Sequence, residues 1–260
     1  MSGLVEPLWI GPVAAADRAE ALRLVSEEVP SEAEEALPEK DEGPGNPHWL
    51  FRGAYRGQEF LGVQLAHLQP GRTAVMWPPR LKPQQGTEVA LTLVEGVCQE
   101  LAGRGVGLVY CFLGSDTGPE SKLMQVAGFS RLAQLLYLAA PEEELPSQRP
   151  ASALCFEPYC GDSRARLVRI LQATYIQTLD CPLLNQKRDI EDVLAGYRAT
   201  GTHRPELWQI VQAEGEDVGC LLLTDHPELE SLELIYMGLI PSVRGRGWGM
   251  ELARYAQWLT

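Results

Sequence analysis

The run Arg244-Gly245-Arg246-Gly247-Trp248-Gly249 leads into a segment in which Leu252, Tyr255, Ala256 and Leu259 recur at helical spacing. A helix start presents unpaired backbone N–H groups and the positive end of the helix dipole, and residues without Cβ let an anion come close to those donors. A pyrophosphate is the natural occupant. Arg244 and Arg246 add positive charge, and Trp248 offers an apolar surface beside the loop. The same glycines would also serve a tight strand-to-helix turn. Upstream, Glu233 lies on the apolar run Leu232 to Ile240, eleven residues before Arg244. On an exposed strand its carboxylate would simply face solvent. Glu230 and Glu233 flank Ser231 and Leu232, so alternation alone does not decide which carboxylate points inward.

The rest of the composition removes other chemistries. Cys98, Cys111, Cys155, Cys160, Cys181 and Cys220 form no Cys-x-x-Cys pair and no histidine clusters with them, so neither a metal site nor a disulfide framework is expected; buried free thiols are. A net charge of -13 opposes a nucleic-acid backbone, so no nucleic-acid partner is expected. Part of that charge lies in Ser26 to Glu42, which reads as a solvated acidic loop. No stretch approaches the ~20 apolar residues of a membrane span and the N-terminus lacks a basic leader, so the expectation is a cytoplasmic protein with no membrane partner.

These residues must be positioned by an α/β scaffold. Three prolines and several charges in Pro141 to Pro150 mark a linker, giving expected domains at 1–145 and 152–260 around a connection at 146–151. In the first, strands are expected at Leu8 to Val13, His48 to Tyr55, Glu59 to Leu68 and Thr73 to Trp77, with helices over Ala14 to Val25 and from Thr87. The apolar run Val106 to Leu113 predicts a strand buried on both faces, Pro119 to Ala127 a short helix, and Phe129 to Leu138 a closing strand or pair of strands. The second part repeats this order, which suggests an internal duplication. Ala153 to Phe156 is strand-like, helices are expected after Asp162 or Ser163 and after Asp189, and strands at Leu207 to Ala213, Val218 to Thr224 and Leu232 to Ile240. The last feeds the glycine loop and a helix from about Gly249.

The segment from Glu233 to Gly249, Glu-Leu-Ile-Tyr-Met-Gly-Leu-Ile-Pro-Ser-Val-Arg-Gly-Arg-Gly-Trp-Gly, resembles motif A of the GNAT N-acetyltransferases, whose signature Arg/Gln-x-x-Gly-x-Gly/Ala follows a strand. Arg244, Gly247 and Gly249 occupy its defined positions. The two-part layout is similar to tandem members of that superfamily. The resemblance implies two GNAT-like domains, each a mixed central sheet flanked by helices. It also implies acetyl-CoA as cosubstrate and transfer of its acetyl group to a small-molecule or peptide amine. The backbones of Met237, Gly238 and Leu239 would pair with pantetheine, those of Gly245, Arg246, Gly247, Trp248, Gly249 and Met250 would hold the pyrophosphate, and Glu233, its carboxylate raised towards neutrality by burial beside an apolar channel, would be the general base. The acceptor would be gripped by variable loops and by the helix pair Asp162 to Tyr197. Self-association into a homo-oligomer is compatible with the sequence.

Two departures from the pattern bear on that expectation. The corresponding loop of the first part, Pro83-Gln84-Gln85-Gly86-Thr87-Glu88, has proline at the first position and a carboxylate where the second glycine belongs, so the first domain is expected to be a degenerate structural partner. The chain stops at Thr260, before the further strands of such a fold, so a piece of a longer protein is expected, the alternatives being completion of the second half by another chain or by the first domain. Other readings are a non-catalytic CoA-binding or scaffolding protein of the same fold and a different phosphate-binding α/β enzyme. Against the latter, no Gly-Lys-Ser/Thr loop is present.

Overall fold

The computed structural model describes residues 6–25, 48–184 and 187–260; the acidic stretch Ser26 to Glu42 lies outside them. The chain divides into two compact units, Met1–Arg131 and Leu132–Thr260.

In the first unit, β1 (Leu8–Pro12) is followed by a short 3-10 turn and α1 (Arg18–Val25), then by β2 (Trp49–Arg56), β3 (Glu59–Gln69), β4 (Thr73–Met76), β5 (Arg80–Leu81), α2 (Thr87–Gly103), β6 (Leu108–Tyr110) and α3 (Pro119–Val126). The sheet order is β1-β2-β3-β4-β6, with β5 also on β3. All these pairings are antiparallel except β4 with β6, which makes the sheet mixed. The apolar face of α2 (Val94, Val97, Leu101) covers Leu50, Ala66, Ala74 and Met76 of the sheet, and α1 covers Tyr55, Phe60, Val63 and Leu65 on the other face.

Two sequence expectations are corrected here. Val106 to Leu113 shortens to the three-residue β6, whose residues are half-buried, because this strand sits at the edge of the sheet with β4 as its neighbour. Phe129 to Leu138 forms no strand: Leu136, Tyr137 and Leu138 are 83, 86 and 92% exposed, and no ladder partner holds the backbone. Apolar content alone does not make a strand without a neighbour to bond.

The second unit runs β7 (Cys155–Pro158), α4 (Arg164–Thr174), α5 (Ile190–Ala199), β8 (Trp208–Ala213), β9 (Glu216–His226), β10 (Ser231–Leu239) and α6 (Trp248–Leu259). Its sheet is antiparallel in the order β10-β9-β8-β7. On one face α6 lays Leu252, Tyr255 and Ala256 onto Phe156, Val211, Leu221 and Leu223; Phe156 and Tyr255 stack with ring centroids 3.6 Å apart. On the other face α4 and α5 bring Leu167, Ile170, Leu171 and Leu194 onto Trp208, Ile210 and Leu222. Asp189 caps α5 as its residue type suggests, accepting from Glu191 N at 2.7 Å. Ser163 does not cap α4 itself; its hydroxyl closes the preceding turn through Cys160 N and O. The linker expected at 146–151 is anchored beside α6: the Arg149 guanidinium lies over the rings of Tyr255 and Trp258, and Ser152 Oγ donates to Glu251.

The six cysteines are all free, but only Cys220 is buried; Cys155 and Cys160 are exposed, against the expectation of buried thiols throughout. Among the described residues no helix is long and apolar enough to cross a membrane, and no group of three or more His, Cys, Asp or Glu could hold a metal ion.

Candidate functional site

β10 ends at Leu239, and a 3-10 turn over Pro241–Val243 carries the chain into the glycine loop. Gly245 and Gly247 have φ of +78° and +81°, the left-handed region that glycine enters without steric cost. Both glycines lie directly ahead of the α6 N-terminus, where first-turn N–H groups lack helical partners and an anion is favoured. A Cβ placed on Gly245, Gly247 or Gly249 would meet no heavy atom within 4 Å, so the space over the loop is open. Arg246 stacks its guanidinium 5.2 Å from the Trp248 ring centroid, and Trp248 packs against the α6-side core. Met250 N is bonded to Gly247 O at 3.1 Å.

The other motif arginine does something the sequence did not reveal. The Arg244 guanidinium donates to four backbone carbonyls: Leu239 O (2.9 Å), Thr174 O (2.7 Å), Ile176 O (2.9 Å) and Gln177 O (3.0 Å). Three of these lie at or just beyond the C-terminus of α4, where carbonyls lack helical partners and the dipole favours a cation. Gln177 leaves that helix at φ +51°, a conformation costly for a residue with a Cβ. Arg244 therefore fastens the entry of the glycine loop to the end of α4.

The same junction requires Gly238. A Cβ there would meet Tyr236 Oη at 2.7 Å and Thr174 Cβ at 2.9 Å, so glycine lets α4 lie close against β10. The Tyr236 and Thr174 hydroxyls are 2.8 Å apart, and those of Tyr175 and Tyr197 also 2.8 Å. Tyr236 meets Tyr175 edge-on and lies over Tyr197, forming a ring cluster between α4, α5 and β10. Burial pushes the Tyr175, Tyr197 and Tyr236 hydroxyls above the ordinary tyrosine range, so they stay protonated and neutral near pH 7.

A β-bulge in β10 resolves which way Glu233 faces. The register with β9 shifts between Leu234 and Tyr236, so Ile235 and Tyr236 both pack on the α4/α5 side. Glu233 pairs with Thr224, which lies two residues beyond Leu222 of that same side, so Glu233 and Tyr236 share a face although three positions apart. Leu232 and Leu239 pack with the α6-side core. Glu233 is not buried: its side chain is 49% exposed, and its carboxylate is bonded to His226 Nε2 at 2.9 Å. The expected burial against an apolar channel is absent at this carboxylate.

The structure thus gathers Met237, Gly238, Leu239 and the loop Arg244 to Met250 at the junction of β10 and α6, with Glu233 towards the other end of the strand. Sequence reading missed His226, Thr174 and Tyr236. His226 was accessible in principle: Pro227-Glu228-Leu229-Glu230 is a turn between two strands, and a hairpin through it pairs His226 with Ser231 and sets Glu233 diagonally across. Thr174 could not be found that way, since its neighbour Arg244 is 70 positions distant.

No protein-family model and no curated protein matches the sequence. Solved structures do match its shape. A GCN5-related N-acetyltransferase from Sphaerobacter thermophilus aligns over 98% of this chain and 84% of its own, with 13% identity and a TM-score of 0.56. A GCN5-related glucosamine N-acetyltransferase region of a fungal multi-domain β-N-acetylglucosaminidase aligns over 98% of this chain and 34% of its own, with 11% identity and a TM-score of 0.55. These alignments over nearly the whole chain show that it has the mixed α/β fold of the GCN5-related N-acetyltransferases.

Proposed function

We propose that the second unit binds acetyl-CoA at the loop Gly245 to Met250 and transfers the acetyl group to a small-molecule or peptide amine, in the cytoplasm and without a metal. The observation that carries this is the loop itself. Left-handed Gly245 and Gly247, with open space where their Cβ atoms would stand, lie between a β-strand and the N-terminus of a 12-residue helix. Donors fixed in place suit a pyrophosphate, because they need no reorganisation when the anion arrives. Among the described residues β10 has no strand on its side away from β9, so backbone groups of Met237 to Leu239 are available to an extended amide-bearing arm. Arg246 is the arginine left to face an anion, since Arg244 is committed to α4.

In this reading the chain's part in the chemistry is to hold donor and acceptor together and to assist removal of a proton from the acceptor ammonium at the site marked by Glu233. The net charge of -13 favours a cationic acceptor by long-range attraction. The first unit is proposed to be structural. Its helix α2 starts at Thr87 with Glu88 in the first turn, which opposes a phosphate there, and Pro78 and Pro79 after β4 offer no N–H to an incoming arm.

The half-exposed position of Glu233 favours one competing reading, a protein that binds CoA without turnover. Thiol release from acetyl-CoA in the presence of glucosamine, spermidine or an unblocked dipeptide separates the two. Release with at least one amine, reduced in Glu233→Gln, supports transfer; CoA binding with no release under any of them supports the non-catalytic reading.

A further inference from the structure

We propose that His226 is the proton-accepting group of the second unit and that Glu233 acts through it, the pair working as a carboxylate–imidazole relay. This rests on the acyltransferase reading above.

A carboxyl that takes a proton from an ammonium near pH 7 has to be moved towards neutrality, and desolvation is the usual means. Glu233 is half in water, so that means is missing. An imidazole is a side chain that takes up and releases protons in general acid–base steps without needing burial. His226 supplies one, 2.9 Å from Glu233 Oε2 and only 25% exposed. Bonding of Nε2–H to the carboxylate fixes the tautomer, leaving Nδ1 with its lone pair as the acceptor and stabilising the imidazolium once it forms.

The ring is held from below. A Cβ on Gly201 would come within 2.9 Å of His226 Cε1 and 2.6 Å of Asp225 O, so this connection runs flush beneath the imidazole, using φ +56° to do so. Thr202 bridges Asp225 backbone to backbone, and Thr224 Oγ1 donates to the carbonyls of Thr200 and Thr202. Glu233 stands on the sheet face that carries Tyr236, and His226 meets it there. Of the charged groups here, Glu233 on β10 is bonded to the ring, and Asp225, the neighbour of His226 on β9, is paired with Arg204. Arg204 is engaged by Asp225 and Glu206, and His203 packs edge-on against Trp208.

The step balances simply. The acceptor R–NH3+ gives one proton to Nδ1 and becomes R–NH2. Its lone pair forms the N–C bond at the thioester carbonyl, the C–S bond breaks, and the sulfur leaves as the CoA thiol with the second proton that the nitrogen sheds. The imidazolium then returns its proton to solvent.

The test is the pH dependence of kcat/KM for acetyl-CoA with the three amines above, between about pH 5 and 9. It is run on the parent, His226→Gln and Glu233→Gln, with CoA affinity measured by calorimetry on each. The parent is expected to show an acid-side inflection in the profile. His226→Gln should abolish it and lower kcat on the order of 100-fold or more while leaving CoA affinity within about twofold. Glu233→Gln should keep the inflection and lower kcat by less than His226→Gln does, since the ring loses the carboxylate that fixes its tautomer. An unchanged inflection and kcat in His226→Gln would overturn the relay in favour of Glu233 alone, and a change in CoA affinity without a change in the profile would make the pair structural. A parent that binds no CoA overturns the acyltransferase reading itself, and is distinguished from failure of the relay by that binding measurement.

Discussion

Arg244 Nη2 donates to the carbonyl oxygen of Thr174 at 2.7 Å, joining the glycine loop to the end of a helix 70 positions earlier. With the bonds to Ile176 O and Gln177 O the guanidinium satisfies carbonyls at the open end of α4, and it also bonds Leu239 O at the end of β10. Arg244→Met should destabilise the second unit by about 1–3 kcal/mol, the usual range for losing hydrogen bonds to a charged group. Arg244→Lys should recover only part of that, because an ammonium lacks the planar fork. Denaturant unfolding gives the magnitude. Hydrogen exchange gives the place, with faster exchange of the amides that the α4 C-terminus protects in the parent.

Gly238→Ala places a methyl group 2.7 Å from Tyr236 Oη and 2.9 Å from Thr174 Cβ, both held by their mutual hydrogen bond. Overpacking of this kind costs about 1–3 kcal/mol. The drop in unfolding midpoint should be largely relieved by adding Thr174→Gly. Equal destabilisation by Gly238→Ala in both backgrounds would show that the close approach of α4 to β10 is not what glycine permits.

Asp217 is bonded by Arg166, Arg169 and Gln212, and the Arg166 guanidinium above all holds its carboxyl down to about 2. A carboxyl with a depressed folded-state pKa contributes stability that is present above its unfolded value, near ~3.9, and lost as pH falls through the folded value. Asp217→Asn should therefore cost about 1–2 kcal/mol at neutral pH, and should flatten the loss of stability between about pH 4 and 2. Unfolding free energies of parent and variant across that window check both parts.

Much of this was readable in the sequence where local rules govern. Leu252, Tyr255, Ala256 and Leu259 were expected on one face of a helix and lie there against the core. Asp189 was expected to start a helix and does. The failures came where a neighbour decides. Phe129 to Leu138 is apolar enough for a strand, yet among the described residues no strand pairs with it. Glu233 could not be oriented by alternation because the bulge before Tyr236 breaks the parity, and a bulge leaves no mark in the residue types of β10. Arg244 resembled a phosphate ligand because motif position says nothing of where a long side chain ends; its partners are backbone carbonyls, which carry no residue code.

The central claim is that the loop before α6 holds the pyrophosphate of acetyl-CoA, and Gly249→Glu tests it most directly. Gly249 lies within helix α6 and a Cβ there meets nothing within 4 Å, so the substitution brings neither strain nor clash. A glutamate in the first turn of a helix is favourable both in propensity and against the dipole, by roughly 0.5–1 kcal/mol. Calorimetric titration of acetyl-CoA into parent and variant, with a thermal unfolding curve for each, is the measurement. The account predicts binding by the parent and at least about a 30-fold weaker affinity in a variant whose unfolding temperature is equal or higher, corresponding to roughly 2 kcal/mol lost to a carboxylate at the anion site. Equal affinity in the two proteins would place the pyrophosphate elsewhere and contradict the assignment.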